Sequence, residues 1–192
     1  MNRRWLLFVV CVLAALSLFV PVIYFAKPST TSWFVIGAAL FVPGRLARLF
    51  WSAFYRGKRE FAAGDYRAAI DSYELFVQQM RRQPWKKKFI VLNWGWYTWD
   101  IEAMAFHNIG SAALRLGQLE RARTALLQAL QLDAQYALPH LQLAMVDIDE
   151  GNLTAAEAHL ERSKRLGLSR SKLDEAYKLI AGVRAADSTP GG

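Results

Sequence analysis

A six-residue pattern that begins with glycine recurs three times, and it constrains the fold of this chain more than any other feature. The copies begin at Gly64, Gly117 and Gly151, and each runs through a polar and an apolar residue to an alanine five positions after the glycine. Gly117 and Gly151 are 34 residues apart, whereas Gly64 and Gly117 are 53 apart, which is 34 plus 19. A repeat of this length predicts a solenoid of stacked units, with an insertion after the first copy.

The residues that follow the glycines have helical spacing. Apolar and small side chains recur three or four positions apart, as on one face of an α-helix. The two clearest sets are Leu119, Ala122, Leu126, Ala129 and Leu130, and Leu153, Ala156, Leu160 and Ser163. A last amphipathic segment starts at Ser171 and places Leu173, Tyr177 and Ile180 on one face. It is expected to cover the open end of the final repeat, as a solenoid requires.

These residues resemble the tetratricopeptide repeat, a 34-residue unit of two antiparallel helices. In that family the glycine ends the first helix, and the small residue five positions later lets the two helices pack closely. The best copy starts at Ala103 and has Phe106, Ile109 and Gly110 at the family's large, aliphatic and small positions. The first copy departs from the pattern at Arg56, where an aliphatic residue is usual. The resemblance covers about residues 50–83 and 103–168.

Two apolar segments precede the repeats. Residues 5–26 carry no charge, and at about 1.5 Å per residue they are long enough to cross a hydrocarbon core of roughly 30 Å. A second segment, 30–48, crosses if its two arginines extend toward the interface. Basic residues flank the pair and only Lys27 lies between them, which predicts a membrane hairpin with both ends cytoplasmic. The alternatives are a cleaved signal peptide for the first segment and a re-entrant or surface-lying helix for the second.

The sequence therefore predicts an all-α protein: a two-helix N-terminal membrane hairpin followed by a short tetratricopeptide solenoid of about three helix pairs plus a capping helix. The expected divisions are an anchor over 1–51, a solenoid over 52–184 with an insertion at 84–102, and a disordered tail over 185–192. The expected location is the bacterial inner membrane, multi-pass, with the repeat domain in the cytoplasm.

The resemblance implies that a partner protein binds along the first helices of the repeats, as an extended or helical segment. The implied protein-binding positions are Phe54, Lys58, Phe61, Met104, His107, Ser111, Leu114, Arg115, Leu138, Leu141, Met145, Ile148 and Asp149. This lining is mostly apolar and includes methionines, which repack readily around a partner. The alternative is that several of these side chains belong to the solenoid core. The paired basic residues with which the chaperone-binding class clamps a terminal carboxylate are not found.

The insertion combines a basic cluster with an aromatic run. The residues expected at a membrane interface are Trp85, Lys86, Lys87, Lys88, Trp94, Trp96 and Trp99. The alternative is that the insertion lengthens the helices and packs on the solenoid.

Other function classes lack their motifs. The single cysteine, Cys11, gives no disulfide or cysteine-based metal site. The three histidines stand on different predicted helices without an acid at motif spacing, and the acidic residues at 147, 149 and 150 are expected to form a solvated face. No phosphate loop or nucleophile elbow is present. The net charge of +8 falls entirely on residues 1–102, with 14 Lys/Arg against 6 Asp/Glu, yet no nucleic-acid module accompanies it.

These observations predict a non-enzymatic, membrane-anchored scaffold without a cofactor or metal. It is expected to bind a partner protein, contact membrane lipid and help assemble or organise a membrane complex. The alternatives are a self-associating structural subunit of a membrane assembly and a periplasmic repeat domain on a single span.

Overall fold

The structure is a computed structural model, and it describes residues 50–87, 98 and 100–188. Helices make up most of this part of the chain. In order they are α1 (Ser52–Ala62), α2 (Tyr66–Arg82), α3 (Ile101–Arg115), α4 (Leu119–Leu132), α5 (Ala137–Asp149), α6 (Leu153–Arg165) and α7 (Arg170–Ser188).

The helices form three pairs and a final single helix. Helices α1 and α2, α3 and α4, and α5 and α6 pack as pairs, each pair packs on the next, and α7 packs on both helices of the last pair. The prediction of an all-α repeat solenoid with three helix pairs and a cap is confirmed for the described residues. The cap begins at Arg170, one residue before the predicted Ser171.

The turn inside each pair depends on the repeated glycine. Gly64, Gly117 and Gly151 have φ values of +82°, +70° and +78°, a left-handed conformation that glycine adopts without a steric penalty from Cβ. The residue after each glycine donates its backbone N–H to a carbonyl five residues earlier, which closes the helix end. Gly167 repeats this geometry between α6 and α7, with φ of +92°. The same local device therefore reverses the chain four times.

The small residue after each turn allows the helices of a pair to approach closely. Ala69, Ala122 and Ala156 are fully buried at these positions. Gly110 of α3 faces Leu126 of α4 so closely that an added Cβ would lie 2.6 Å from the leucine Cγ. The close packing predicted from the repeat pattern is thus confirmed.

The arginine that departs from the repeat pattern lies at the surface of the first pair. Arg56 keeps 49% of its side chain exposed, and its Nε donates a hydrogen bond of 2.9 Å to Ser72 Oγ. Ser72 Oγ in turn donates to Glu60 Oε2 at 2.6 Å. These contacts accommodate the arginine without burying its charge.

The last pair and the cap share one apolar cluster. Leu168, Leu173, Ala176 and Ile180 are buried from the α7 side. They cover Ala137, Ala144, Ile148, Ala156 and Leu160 of α5 and α6. Without α7 this surface would be exposed to water, so the amphipathic segment does act as the terminal cap through Leu173 and Ile180. Tyr177, which was expected on the same face, is 38% exposed instead.

The predicted localisation is corrected by the structure. Within the described residues, none of the helices combines the length and the apolar character that a membrane crossing requires. This finding contradicts a multi-pass protein of the bacterial inner membrane with a cytoplasmic repeat domain. The apolar segments on which that prediction was based, 5–26 and 30–48, lie outside the described residues.

Candidate protein-binding site

The positions implied for partner binding differ widely in accessibility. Half-buried positions are Phe61, Met104, Ser111, Leu114, Leu138, Leu141 and Met145. Exposed positions are Lys58, Arg115 and Asp149, and buried positions are Phe54, His107 and Ile148. The half-buried group on α3 and α5, together with Gln142, is termed here the first-helix face: Met104, Ser111, Leu114, Leu138, Leu141, Gln142 and Met145.

A polar contact joins the two helices at the first-helix face. Ser111 Oγ of α3 lies 2.8 Å from Gln142 Oε1 of α5, and 2.9 Å from the carbonyl oxygen of His107. The hydroxyl carries one hydrogen, so it donates either to Gln142, which links α3 to α5, or to the His107 carbonyl within α3. This contact fixes the relative position of the two helices in the region where a partner segment would lie.

The apolar residues of the first-helix face on α5 pack against the core. Leu138, Leu141 and Met145 pack against the buried cluster that α5 and α6 share with α7. Their inner atoms therefore have fixed neighbours while part of each side chain remains accessible. These three side chains are therefore held in place by the core, and such preorganisation lowers the entropy cost of binding at a surface.

His107 is buried beside the first-helix face and carries no charge at neutral pH. Its ring is 8% exposed and meets the Tyr136 ring edge-on, with 5.2 Å between the ring centres. Burial, and secondarily the positive charge of Lys172, lowers the pKa of His107 to about 4. Its Nδ1 is buried without a hydrogen-bond partner. The His107 side chain is therefore a buried, neutral ring and offers no positive charge to a partner.

Two apolar positions implied for binding belong to the core. Phe54 is 2% exposed and contacts the rings of Tyr73 and Phe76 on α2. Ile148 is 9% exposed and belongs to the cluster beneath α7. For these residues the core alternative raised by the sequence is correct, because α2 covers Phe54 and the cluster shared with α6 and α7 covers Ile148.

The insertion is described only at its two ends. Trp85 is 50% exposed and packs edge-on against Phe50, with Lys86 Nζ 5.6 Å from the centre of the Phe50 ring. Lys87 Nζ lies 2.7 Å from Oε1 of the buried Glu102. At Lys87, therefore, the insertion contacts the solenoid. The other expected interface residues, Lys88, Trp94, Trp96 and Trp99, lie outside the described residues, and a membrane contact by the insertion stays untested.

A polar network that the sequence analysis did not anticipate lies between the second and third pairs. Asp147 of α5 is 1% exposed, not solvated as predicted, and accepts a hydrogen bond of 2.7 Å from Arg123 of α4. Arg123 also pairs with Glu150, and these carboxylates raise its pKa. The sequence signal that could have predicted this ion pair is the position of Asp147 between the apolar residues Val146 and Ile148, both of which are buried. An acidic residue inside an apolar run is usually paired when the run is buried.

A shallow cavity of about 330 Å³ lies outside the first-helix face. Phe106 and Ile109 are among its lining residues, and the ion pair of Glu74 with Arg121, 2.7 Å long, lies at it.

Comparisons with known proteins agree with this geometry. Residues 103–136 match the family model of the tetratricopeptide repeat. No curated protein sequence matches the chain.

Two of the solved structures that are similar in fold contain a bound peptide. One is the first TPR of Spaghetti (RPAP3) bound to the HSP90 peptide SRMEEVD, with a TM-score of 0.53, 20% identity, and coverage of 70% of this chain and 93% of that chain. The other is the Yersinia enterocolitica type III secretion chaperone SycD in complex with a peptide of the translocator YopD, with a TM-score of 0.50, 14% identity, and coverage of 71% and 93%. At such identities the likeness establishes the fold alone. The chain therefore carries a tetratricopeptide repeat at residues 103–136, within a helical solenoid of the tetratricopeptide fold.

Proposed function

We propose that this chain is a non-enzymatic scaffold that binds a segment of a partner protein on the first-helix face, and so helps to assemble or organise a protein complex. The observation that carries the proposal is the first-helix face itself. Two adjacent first helices present half-buried apolar side chains around the Ser111–Gln142 contact. The two solved structures named above each contain a bound peptide, which supports this use of the fold.

The chemistry of the face favours an apolar partner segment. Met104 and Met145 lie on different helices, and their flexible, polarisable side chains adapt to differently shaped apolar groups. Arg115 and Asp149 are exposed at the last turns of α3 and α5, so the rim offers charges of both signs. A partner segment with apolar anchors and mixed flanking charge would suit this surface.

Site-specific photo-crosslinking tests the proposal. A photoreactive amino acid replaces Met104 in one variant and Leu141 in another. The matched control carries it at Leu127, which is 45% exposed on the second helix α4. We expect the first two positions to crosslink to the same segment of one partner, and Leu127 to give no such product.

A second variant distinguishes recognition from folding. Changing Leu141 and Met145 to glutamate should abolish the Met104 crosslink, and because both side chains also pack against the buried cluster, circular dichroism and the thermal midpoint are measured on the same variant to separate lost recognition from unfolding. Identical partner crosslinks from all three positions would reject the first-helix face as the site. Crosslinks from Met104 to a second copy of the chain would identify self-association instead.

A further inference from the structure

Two histidines from neighbouring helices contact each other beside the polar network of Arg123, Asp147 and Glu150. His140 of α5 and His159 of α6 place their Nδ1 atoms 3.1 Å apart, with 5.3 Å between the ring centres. Both side chains are half-buried, so the two nitrogens are held by the packing of α5 on α6. This contact was not predicted from the sequence, because the two residues are 19 positions apart on different helices.

The surroundings of the pair are close to electrically balanced. His159 Nε2 lies 3.8 Å from Asp147 Oδ2, a buried oxygen without a hydrogen-bond partner. The other Asp147 oxygen is paired with Arg123, which also contacts Glu150. Arg162 acts electrostatically on His140. Two arginines are thus matched by two carboxylates around the rings.

Both rings are neutral at pH 7. Burial, followed by the neighbouring His159 and Arg162, lowers the pKa of His140 to about 4. Burial also lowers the pKa of His159, against the opposing effect of Asp147. The 3.1 Å contact is a hydrogen bond, in which the Nδ1–H of one ring donates to the lone pair of the other Nδ1. A bound cation would take the place of that hydrogen, and the donor ring would then carry its hydrogen on Nε2.

The spacing of the two nitrogens suits a shared metal ion. Zinc–imidazole bonds of about 2.0–2.1 Å in a tetrahedral site place two ligand nitrogens about 3.3 Å apart. The observed separation of 3.1 Å needs only a small adjustment to reach that value. A carboxylate that faces the remaining nitrogen of a ligating histidine is the usual outer partner of such a site, and Asp147 lies on that side of His159.

We propose that His140 and His159 form a two-histidine binding site for a late first-row divalent cation such as Zn²⁺. The two Nδ1 atoms are the protein ligands, Asp147 orients the His159 ring, and water completes the coordination shell. Among the described residues no three His, Cys, Asp or Glu side chains are grouped to hold an ion, so two ligands are all that the site receives from the part of the chain that the structure describes. The bound ion would join α5 to α6 and stabilise the last repeat.

Zinc titration of the full-length chain, purified with a tag that contains no histidine, tests this site. Isothermal titration calorimetry at pH 7 should show one saturable site, and zinc should raise the thermal midpoint. His140→Ala and His159→Ala should each weaken zinc binding at least tenfold and remove the midpoint shift. Arg162→Gln is the matched control: it lies on the same helix as His159, and removing its charge should retain or strengthen binding.

A measurement on the unchanged protein keeps the test independent of how the variants fold. In ¹⁵N spectra of the histidine rings, zinc should move the Nδ1 signals of His140 and His159 and leave that of His107 in place. The proposal is overturned if the protein shows no saturable binding, if neither alanine variant weakens it, or if only one does. Signals of His140 and His159 that do not respond to zinc would overturn it as well.

Discussion

At the scale of single residues, the close crossing of α3 and α4 depends on the absence of one methyl group. Gly110 contacts the Leu126 side chain, and the carbonyl oxygen of Ala122 would lie 3.2 Å from a Cβ at position 110. The backbone on that side cannot give way as a flexible side chain can. A helix interior normally disfavours glycine, so this residue is present for packing.

We therefore expect Gly110→Ala to destabilise the protein although alanine is the better helix former. Overpacking lowers the free energy of unfolding by about 1–3 kcal/mol, and the higher helix propensity of alanine offsets about 1 kcal/mol of that loss. Gly182→Ala is the matched control, because Gly182 lies in α7 with no atom within 4 Å of an added Cβ. That change should stabilise by about 0.5–1 kcal/mol. Urea unfolding measures both, and equal effects of the two substitutions would contradict this account.

The buried His107 makes stability depend on pH in a predictable direction. Its pKa is about 4 in the folded protein, mainly because of burial, against about 6.5 when unfolded. Below pH 6.5 the unfolded chain takes up a proton that the folded chain refuses. The stabilising contribution is therefore present above pH 6.5 and is lost as the pH falls to 4, by about 3 kcal/mol. The difference between the free energies of unfolding at pH 7 and at pH 4 should be about 3 kcal/mol smaller in His107→Gln than in the unchanged protein. An unchanged difference would refute the assignment.

The sequence did not predict which residues of the first helices are buried and which are exposed. The repeat phase located the turns and the small packing positions, because glycine and alanine are required there by local geometry. It did not separate Phe54, which is core, from Met104, which is half-exposed, since both occupy first-helix positions of the repeat. Their difference comes from neighbouring helices. The ion pair of Asp147 with Arg123 and the His140–His159 meeting depend in the same way on contacts 24 and 19 residues apart.

At the scale of helices, the second and third pairs are joined by Arg123. It reaches from α4 to Asp147, whose side chain is 2% exposed, and to Glu150 on the turn after α5. Arg121, two positions earlier on α4, makes an ion pair of equal length with Glu74, but both of those side chains are close to half exposed. The helix therefore offers two arginines whose ion pairs differ in burial and in the number of carboxylates, two for Arg123 and one for Arg121.

Arg123→Ala should destabilise the protein far more than Arg121→Ala. The first change leaves the Asp147 charge buried without its partner, which costs about 3 kcal/mol, somewhat reduced because Arg123 itself is partly exposed. The second removes a solvated pair worth about 0–1 kcal/mol. Chemical denaturation of both variants measures the difference. The explanation by burial fails if the two arginines prove equivalent, or if Arg123→Ala with Asp147→Asn is no more stable than Arg123→Ala alone.

At the scale of the whole molecule, the described helices contact mainly their neighbours along the solenoid. The strongest contacts run within pairs and from each pair to the next, and α7 contacts only the last pair appreciably. Such an array behaves as a chain of linked units, in which stability is approximately a sum of unit and interface contributions. A change at one end should therefore act locally before it acts globally.

The cap tests this idea with two leucine-sized residues that are adjacent in sequence. Ile180 is 3% exposed in the cluster beneath α7, whereas Leu179 is 42% exposed. Ile180→Ala should cost about 2–5 kcal/mol, and Leu179→Ala should stay within about 0.5 kcal/mol. In hydrogen–deuterium exchange, Ile180→Ala should lower the protection of α5 and α6 strongly and that of α1 and α2 little, because only α5 and α6 share the cluster. Leu179→Ala should leave both regions unchanged. An equal loss of protection in all helices would show that the solenoid unfolds as one cooperative unit, and the nearest-neighbour description would then be wrong.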